Sequence, residues 1–346
     1  VDVDCLCDGK DVYVAGVMEH IEEAGVHSGD SACVIPPHSI SREIVDEMKR
    51  QTRELALALN VVGLMNVQFA IRKAGANDPD HSGEGDYTDV YILEVNPRAS
   101  RTVPFVAKAS GLPIAKCAAR IMAGETINAL LEEGTLHEYE LLHYAVKAPV
   151  FPFNRFPGTD IILGPEMKST GEVMGLDTVV DEAFAKAMLA ADNALPTKGT
   201  VFLSVKDADK DALVPIAEDL THLGFDIVAT GGTCSRLREA GLTNVKKINK
   251  VLEGQPHIVD ALINGEIALV INTTIGPQAL SDSFSIRRTA LMNKVPYFTL
   301  LTSARAGVAA IEALQKVDLS VKSIQERVAE TAKRISNDKD IRKTGS

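Results

Sequence analysis

The chain has 346 residues, 45% of them hydrophobic and 24% charged. At about 150 residues per domain this predicts two domains and excludes a wholly disordered chain. A formal net charge of −11 argues against non-specific nucleic-acid binding. No run approaches the roughly 20 apolar residues of a membrane span.

The start, VDVDCLCDGKDVYVAG, has no basic n-region or cleavage pattern, so no signal peptide is expected. Five cysteines are scattered (Cys5, Cys7, Cys33, Cys117, Cys234) without a Cys-x-x-Cys. That spacing predicts neither a disulfide framework nor a zinc site, and a reducing cytoplasm fits it. VDVDCLCDG alternates at period two and reads as a strand, with Cys5 and Cys7 as small buried hydrophobes.

Ser41 is a candidate cap for a helix over about 42–59, with Ile44, Val45, Met48, Leu55 and Leu59 on one face. Residues 64–71 and 90–96 read as strands. Between them, 72–89 is polar, acidic and glycine-rich, and predicts a long exposed loop. A metal cage there lacks calcium-loop spacing. Residues 151–198 read as a bridge rich in turn residues, with a helix over 181–195 and a linker at Pro196–Gly199. From Thr200, five strand–helix pairs follow in about 115 residues, which predicts a parallel sheet covered on both faces by helices. An amphipathic helix (321–335) and a charged, frayed tail close the chain.

The chemistry concentrates in YILEVNPRASRTVPF. Glu94 and Asn96 leave one face of a strand and offer hard oxygen ligands for Mg2+ or Mn2+. Gln68 on the neighbouring strand adds a third oxygen. Arg98 and Arg101 follow, suited to charge on a transferring phosphoryl group. In GVHSGDS, glycines bracket His27 and Ser28, so backbone and side chain can meet phosphate oxygens. In the second part, ATGGT (229–233) ends a strand and opens a helix, an anion-binding arrangement. Lys210, Lys250 and Asn272-Thr273-Thr274 lie at other junctions of the same sheet, where an open parallel sheet forms its ligand crevice.

Residues 93–111 and 19–33, with GPEMKSTGEVMG at 164–175, resemble the large chain of carbamoyl phosphate synthetase, in its second ATP-grasp half. The C-terminal part resembles that enzyme's methylglyoxal-synthase-like allosteric domain. The resemblance implies an α/β chain divided three ways. A partial ATP-grasp domain (1–150, antiparallel sheet) is followed by a helical bridge and linker (151–198) and a Rossmann-like parallel-sheet domain (199–346).

It also implies ATP-dependent phosphorylation of carbamate for pyrimidine and arginine biosynthesis, with ATP, Mg2+ or Mn2+, and K+. Gln68, Glu94 and Asn96 would hold the divalent ion, and Gln68 and Glu94 also count among the nucleotide-site residues. Arg98 and Arg101 would serve the phosphoryl group, and Gly25, Val26, His27 and Ser28 the nucleotide. Lys210, Thr230, Thr233, Lys250, Asn272 and Thr274 match positions for UMP and in part IMP. Tyr297 and Thr299, with Glu22 and Asp30, match ornithine contacts. Ala148 stands where one ornithine carboxylate is expected, so UMP inhibition is the better-supported expectation, and methylglyoxal synthesis is not expected.

The implied partners are a glutaminase small chain and small-molecule effectors, in an oligomer of heterodimers in the cytoplasm, without nucleic acid or membrane. Because the chain begins at Val1 inside the ATP-grasp module, the lid and the first synthetase half are expected upstream, and the chain alone is expected to make no carbamoyl phosphate. The alternatives are another ATP-grasp ligase, against which the C-terminal domain argues, and a non-catalytic nucleotide-sensing module.

Overall fold

The computed structural model describes residues 1–73, 87–138, 140–156 and 159–330. Of the acidic 72–89 segment, 74–86 lie outside the described residues, as do the tail and the end of the last expected helix; the ends of the segment are not loop but strand, Arg72 pairing with Asp89 and Lys73 with Tyr87.

Two sheets organise the chain. The first is antiparallel, with seven strands in the order β5-β4-β1-β2-β3-β6-β7. Its strands are β1 (Asp2–Asp8), β2 (Val12–His20), β3 (Cys33–Ile35), β4 (Val62–Lys73), β5 (Tyr87–Asn96), β6 (Tyr144–Val150) and β7 (Gly171–Asp177). Period-two alternation in β1 decides what each face carries. Val3, Cys5 and Cys7 join Met48 and Ala56 of α1 (Arg42–Ala58) in one core. Leu6 faces the opposite way, into a core with α2 (Val103–Ser110), α3 (Ile114–Met122) and α4 (Ile127–Glu132). Asp2 and Asp4 share that second face.

Ser41 caps α1, its hydroxyl accepting from the Ile44 N–H at 3.5 Å. Leu59 does not join the buried stripe: it follows the helix and is 51% exposed. The bridge supplies more than turns, because GEVMGLD pairs with β6 as the edge strand β7. Its helix, α5 (Val180–Ala190), ends five residues short of the expected 195.

The second sheet is parallel, in the order β10-β9-β8-β11-β12. Its elements alternate: β8 (Thr200–Ser204), α6 (Lys210–His222), β9 (Asp226–Ala229), α7 (Gly231–Glu239), β10 (Lys246–Lys247), α8 (Ile258–Ile263), β11 (Leu269–Asn272), α9 (Pro277–Met292), β12 (Tyr297–Phe298) and α10 (Leu301–Lys316). The buried strands are continuous apolar runs, as a sheet covered on both faces requires. One face has its own core around Phe202, Ile258 and Ile286. The other merges with the first half: Val201, Leu203 and Ile271 share one cluster with Phe184 of α5 and with Val34, Val146 and Ala148. Among the described residues, no helix is long and apolar enough to cross a membrane.

Candidate active site and effector rim

Strand register assembles the first site. Gln68 pairs across from Glu94, and Asn66 from Asn96; on the other side Asp2 pairs with Gln68 and Asp4 with Asn66. Asn96 Nδ2 donates to Glu94 Oε1 at 2.8 Å, and Arg98 Nη2 donates to Asn96 Oδ1 at 3.3 Å. Gln68, Glu94, Asn96 and Arg98 are therefore gathered at one sheet end. Glu94 and Arg98 are exposed and Gln68 is half-buried, so the oxygens face outward. One carboxylate and two amide oxygens suit a hard divalent cation that keeps several waters. Among the described residues no cluster of three or more His, Cys, Asp or Glu makes a closed cage.

The loop after β5 is held from below by Asp4, a residue that sequence reading passed over. Its carboxylate accepts from Asn66 Nδ2 at 2.9 Å, Ser100 Oγ at 2.7 Å and Thr102 Oγ1 at 2.7 Å. Burial pushes the Asp4 carboxyl up to about 6, against the bonds from Thr102, Ser100 and Asn66. The available signal was an acid at an alternate position of an otherwise apolar strand. Arg101, between the two tethered residues, is not bonded to the Glu94 row: its Nη1 meets the Met167 sulfur.

Met167 leads to the second candidate element. The Gly25–Ser31 loop is tied to the 164–169 segment. The His27 N–H donates to the Gly164 carbonyl at 2.8 Å, and Asp30 accepts from the Lys168 and Ser169 N–H groups at 2.8 and 2.9 Å. The Gly29 N–H donates to His27 Nδ1 at 3.0 Å, so that nitrogen is the acceptor tautomer. Lys147, buried on β6, donates to the Ser28 carbonyl at 2.9 Å. Gly25 has φ +109°, a conformation that L side chains rarely adopt, and with Val26 it forms the outer turn.

Glu22 reaches the other half. It accepts from the Ala32 N–H at 2.6 Å and from Ser303 Oγ of α10 at 3.0 Å. Burial pushes its carboxyl up, opposed first by the Ala32 bond. Asp30, by contrast, is spent on Lys168 and Ser169. Among the described residues no hydrogen bond joins Tyr297 or Thr299 to Glu22 or Asp30. Burial and then Asp160 push the Tyr297 hydroxyl up. Ala148 is 1% exposed and packs in the shared core.

The C-terminal ends of the parallel strands form the rim. Thr230 Oγ1 donates to Ser204 Oγ at 3.0 Å, Asn272 Nδ2 donates to the Ser204 carbonyl at 3.0 Å, and Thr233 Oγ1 accepts from the Val205 N–H at 3.2 Å. Those groups are structural in this state. Two others are free: Asn272 Oδ1 and Thr274 Oγ1 are buried with no partner. Buried polar atoms are rarely left so, which marks the spot for a ligand or water. A Cβ on Gly232 would lie 2.8 Å from Lys210 Nζ, so glycine lets that ammonium approach the first turn of α7. Lys247 comes within 3.5 Å of the same position on Gly231 and had not been singled out. Lys250 is exposed, with its backbone N–H on the Glu253 carboxylate at 3.0 Å. Asp207 faces this side: its bond to Lys210 first, and then Lys250 among the nearby charges, hold its carboxyl below the usual range.

A cavity of about 640 Å³ lies elsewhere, along edge strand β7 beside α2, α5 and residues 319–324. None of the site residues singled out in the sequence lines it; Lys147, which holds the Ser28 carbonyl, reaches its wall.

Residues 1–130 match the family model "Carbamoyl-phosphate synthase L chain, ATP binding domain", and residues 212–299 match "MGS-like domain". The chain is 56% identical over 94% of its length to the carbamoyl phosphate synthase large chain of Rhizobium meliloti (strain 1021), covering 27% of that protein. It is 56% identical over 95% of its length to the large chain of Mesorhizobium japonicum, covering 27%, and 51% identical over 94% to that of Methanothermobacter thermautotrophicus, covering 29%. The chain thus spans a little over a quarter of these relatives' length.

Proposed function

We propose, from the chain's membership of the carbamoyl phosphate synthase large-chain family, that it is the portion in which carbamate is phosphorylated by ATP, joined to an effector-binding domain. The observation that carries the catalytic half is the bonded series Glu94–Asn96–Arg98 facing Gln68 across β4 and β5. Gln68, Glu94 and Asn96 would hold Mg2+ or Mn2+. Held there, the ion would supply positive charge that offsets the phosphate charge. Arg98, whose Nη2 donates to Asn96 Oδ1, would meet the same phosphates. Arg101 is held between the tethered Ser100 and Thr102, and would swing from Met167 to stabilise charge on the phosphoryl group in flight. Gly25, Val26, His27 and Ser28 would contact the nucleotide. K+ rests on the family resemblance alone.

For the second half we propose the division at 199, with UMP, and in part IMP, held at the rim by Lys210, Thr230, Thr233, Lys250, Asn272 and Thr274. Ornithine is less favoured, since Ala148 offers no carboxylate and Asp30 is already committed. In the complete large chain we further propose a glutaminase small chain as partner, an oligomer of such heterodimers, and a cytoplasmic place in pyrimidine and arginine synthesis.

Two measurements test this. Calorimetry on the chain with UMP and uridine should show UMP binding far more tightly. Lys210→Ala should weaken UMP by about 1.5–3 kcal/mol, the range for losing a hydrogen bond to a charged group. Equal affinities for uridine and UMP would remove the anion-site argument. In a complete large chain containing this portion, Glu94→Ala or Asn96→Ala should abolish carbamate phosphorylation while bicarbonate-dependent ATP hydrolysis continues. Near-normal carbamoyl phosphate output would overturn the metal assignment.

A further inference from the structure

Residues 160–169 have no helix or strand of their own, yet both ends are fixed. At the near end, Asp160 takes a forked ion pair from Arg287 of α9. Nε meets Oδ1 at 2.8 Å, and Nη2 meets Oδ2. Arg287 is 1% exposed, and its Nη1 has no partner. In the middle, the Gly164 carbonyl accepts from His27. At the far end, the Lys168 and Ser169 N–H groups hold Asp30, and Ser169 Oγ donates to the Gly29 carbonyl at 3.0 Å. The Met167 sulfur sits between Arg101 and Gly29, where a Cβ would lie 2.9 Å from it. Lys168 Nζ closes the segment on itself through the Asp160 and Ile162 carbonyls, at 3.3 and 2.6 Å.

The segment is therefore a strap. One end belongs to the parallel-sheet half. The other end touches the nucleotide loop and a phosphoryl-site arginine. α9 itself begins at Pro277, three residues after Thr274, whose hydroxyl is buried and unpartnered at the rim. A ligand that recruits Asn272 Oδ1 and Thr274 Oγ1 would act on the short connection that feeds α9, and α9 carries Arg287.

We propose that the Asp160–Arg287 ion pair is a positioning contact that transmits occupancy of the rim to the Gly25–Ser31 loop and Arg101. This rests on reading the rim as a nucleotide site. The halves also meet at Glu22–Ser303, a single bond from a neutral hydroxyl, and at the buried Arg327–Asp177 pair (3.0 Å), which lies at the end of β7 away from the strap. The forked pair is charge-assisted and directional, and removing one partner leaves the other charge buried.

The test is amide hydrogen exchange on the whole chain, with and without saturating UMP. In the wild-type chain UMP should slow exchange locally at 229–233 and 272–276. It should also change exchange by about three-fold or more at 25–31 and 164–169, as a modest coupling energy implies. Asp160→Asn and Arg287→Lys should keep the UMP midpoint within about two-fold and lose the remote change. Asp160→Glu, which keeps the carboxylate, should restore part of it, and Ser303→Ala should leave it intact. A remote change of wild-type size in both Asp160→Asn and Arg287→Lys overturns the proposal. So does local protection without any remote change in the wild-type chain.

Absence of local protection would instead sink the rim reading, and with it the transmission. The positioning role is judged separately, without ligand. Asp160→Asn should then raise exchange at 25–31 and 164–169 by about three-fold while β8 and β9 stay unchanged, and equal rates would overturn it. Matching circular dichroism across the variants separates these effects from misfolding.

Discussion

Asp4 is a carboxylate with three side-chain donors and almost no water. Burial raises its carboxyl to about 6, despite the bonds from Thr102, Ser100 and Asn66. The folded value lies above the unfolded value near 3.9, so the folded chain binds this proton more tightly. Its contribution to stability is fully present below about pH 4 and is lost as pH rises through about 6. The size is about 3 kcal/mol at full ionisation, as an order of magnitude. Thermal unfolding from pH 4 to 7.5 should show this loss in the wild-type chain and a weaker slope in Asp4→Asn. Parallel slopes would mean that Asp4 titrates normally. Glu19 has the opposite sign. Burial would raise its carboxyl, but His38 and Ser39 outweigh it and hold it near 2. Its contribution is present above about 4.3 and is lost as pH falls towards 2. Both acids sit on strands, and only one of the two kinds of role was legible. Glu94 and Asn96 announce themselves because period two puts two oxygen donors side by side at a strand end. Asp4 has the same period, but its partners Ser100 and Thr102 lie 96 and 98 residues away, and no local pattern reports that.

At the scale of elements, the close approach of α5 to β7 depends on Gly175. A Cβ there would lie 2.0 Å from the Ala183 carbonyl oxygen and 2.5 Å from the Ala187 nitrogen. Both atoms are helix backbone, which cannot rotate away. Gly175→Ala should therefore destabilise the chain by about 1–3 kcal/mol or more through overpacking, read as a lower urea midpoint at unchanged slope. An unchanged midpoint would show that α5 can lift off at little cost. The parallel-sheet elements were legible because each strand is a short apolar run followed by an amphipathic helix. Less was legible between 97 and 177. α2, α3 and α4 are helices of 8, 9 and 6 residues, too short for a periodic stripe to stand out. β7 carries Gly171 and Gly175, residues that weaken any strand signal, and its pairing with β6 is set by tertiary packing. The same density of glycine and proline hid the strap, which has no element to predict.

The whole molecule has a shared interior. Five strand–helix pairs predict a sheet that buries its own core, and one face does so. The other face uses Phe184, Val146 and Val34 from the first half. Thermal unfolding followed by far-UV circular dichroism and by calorimetry should therefore give one coincident transition. Two resolved transitions would show that the common cluster contributes little coupling. The cysteines turn this into a question of timing. All five are buried, four in the antiparallel half and Cys234 alone on α7. Burial, reinforced by Asp4, pushes the Cys5 thiol up to about 12, so near neutrality it offers a reagent almost no thiolate. A thiol-selective label added to the native protein is thus refused until something opens. The order in which it is then accepted, Cys234 against the other four, is a record written in mass of which half yields first.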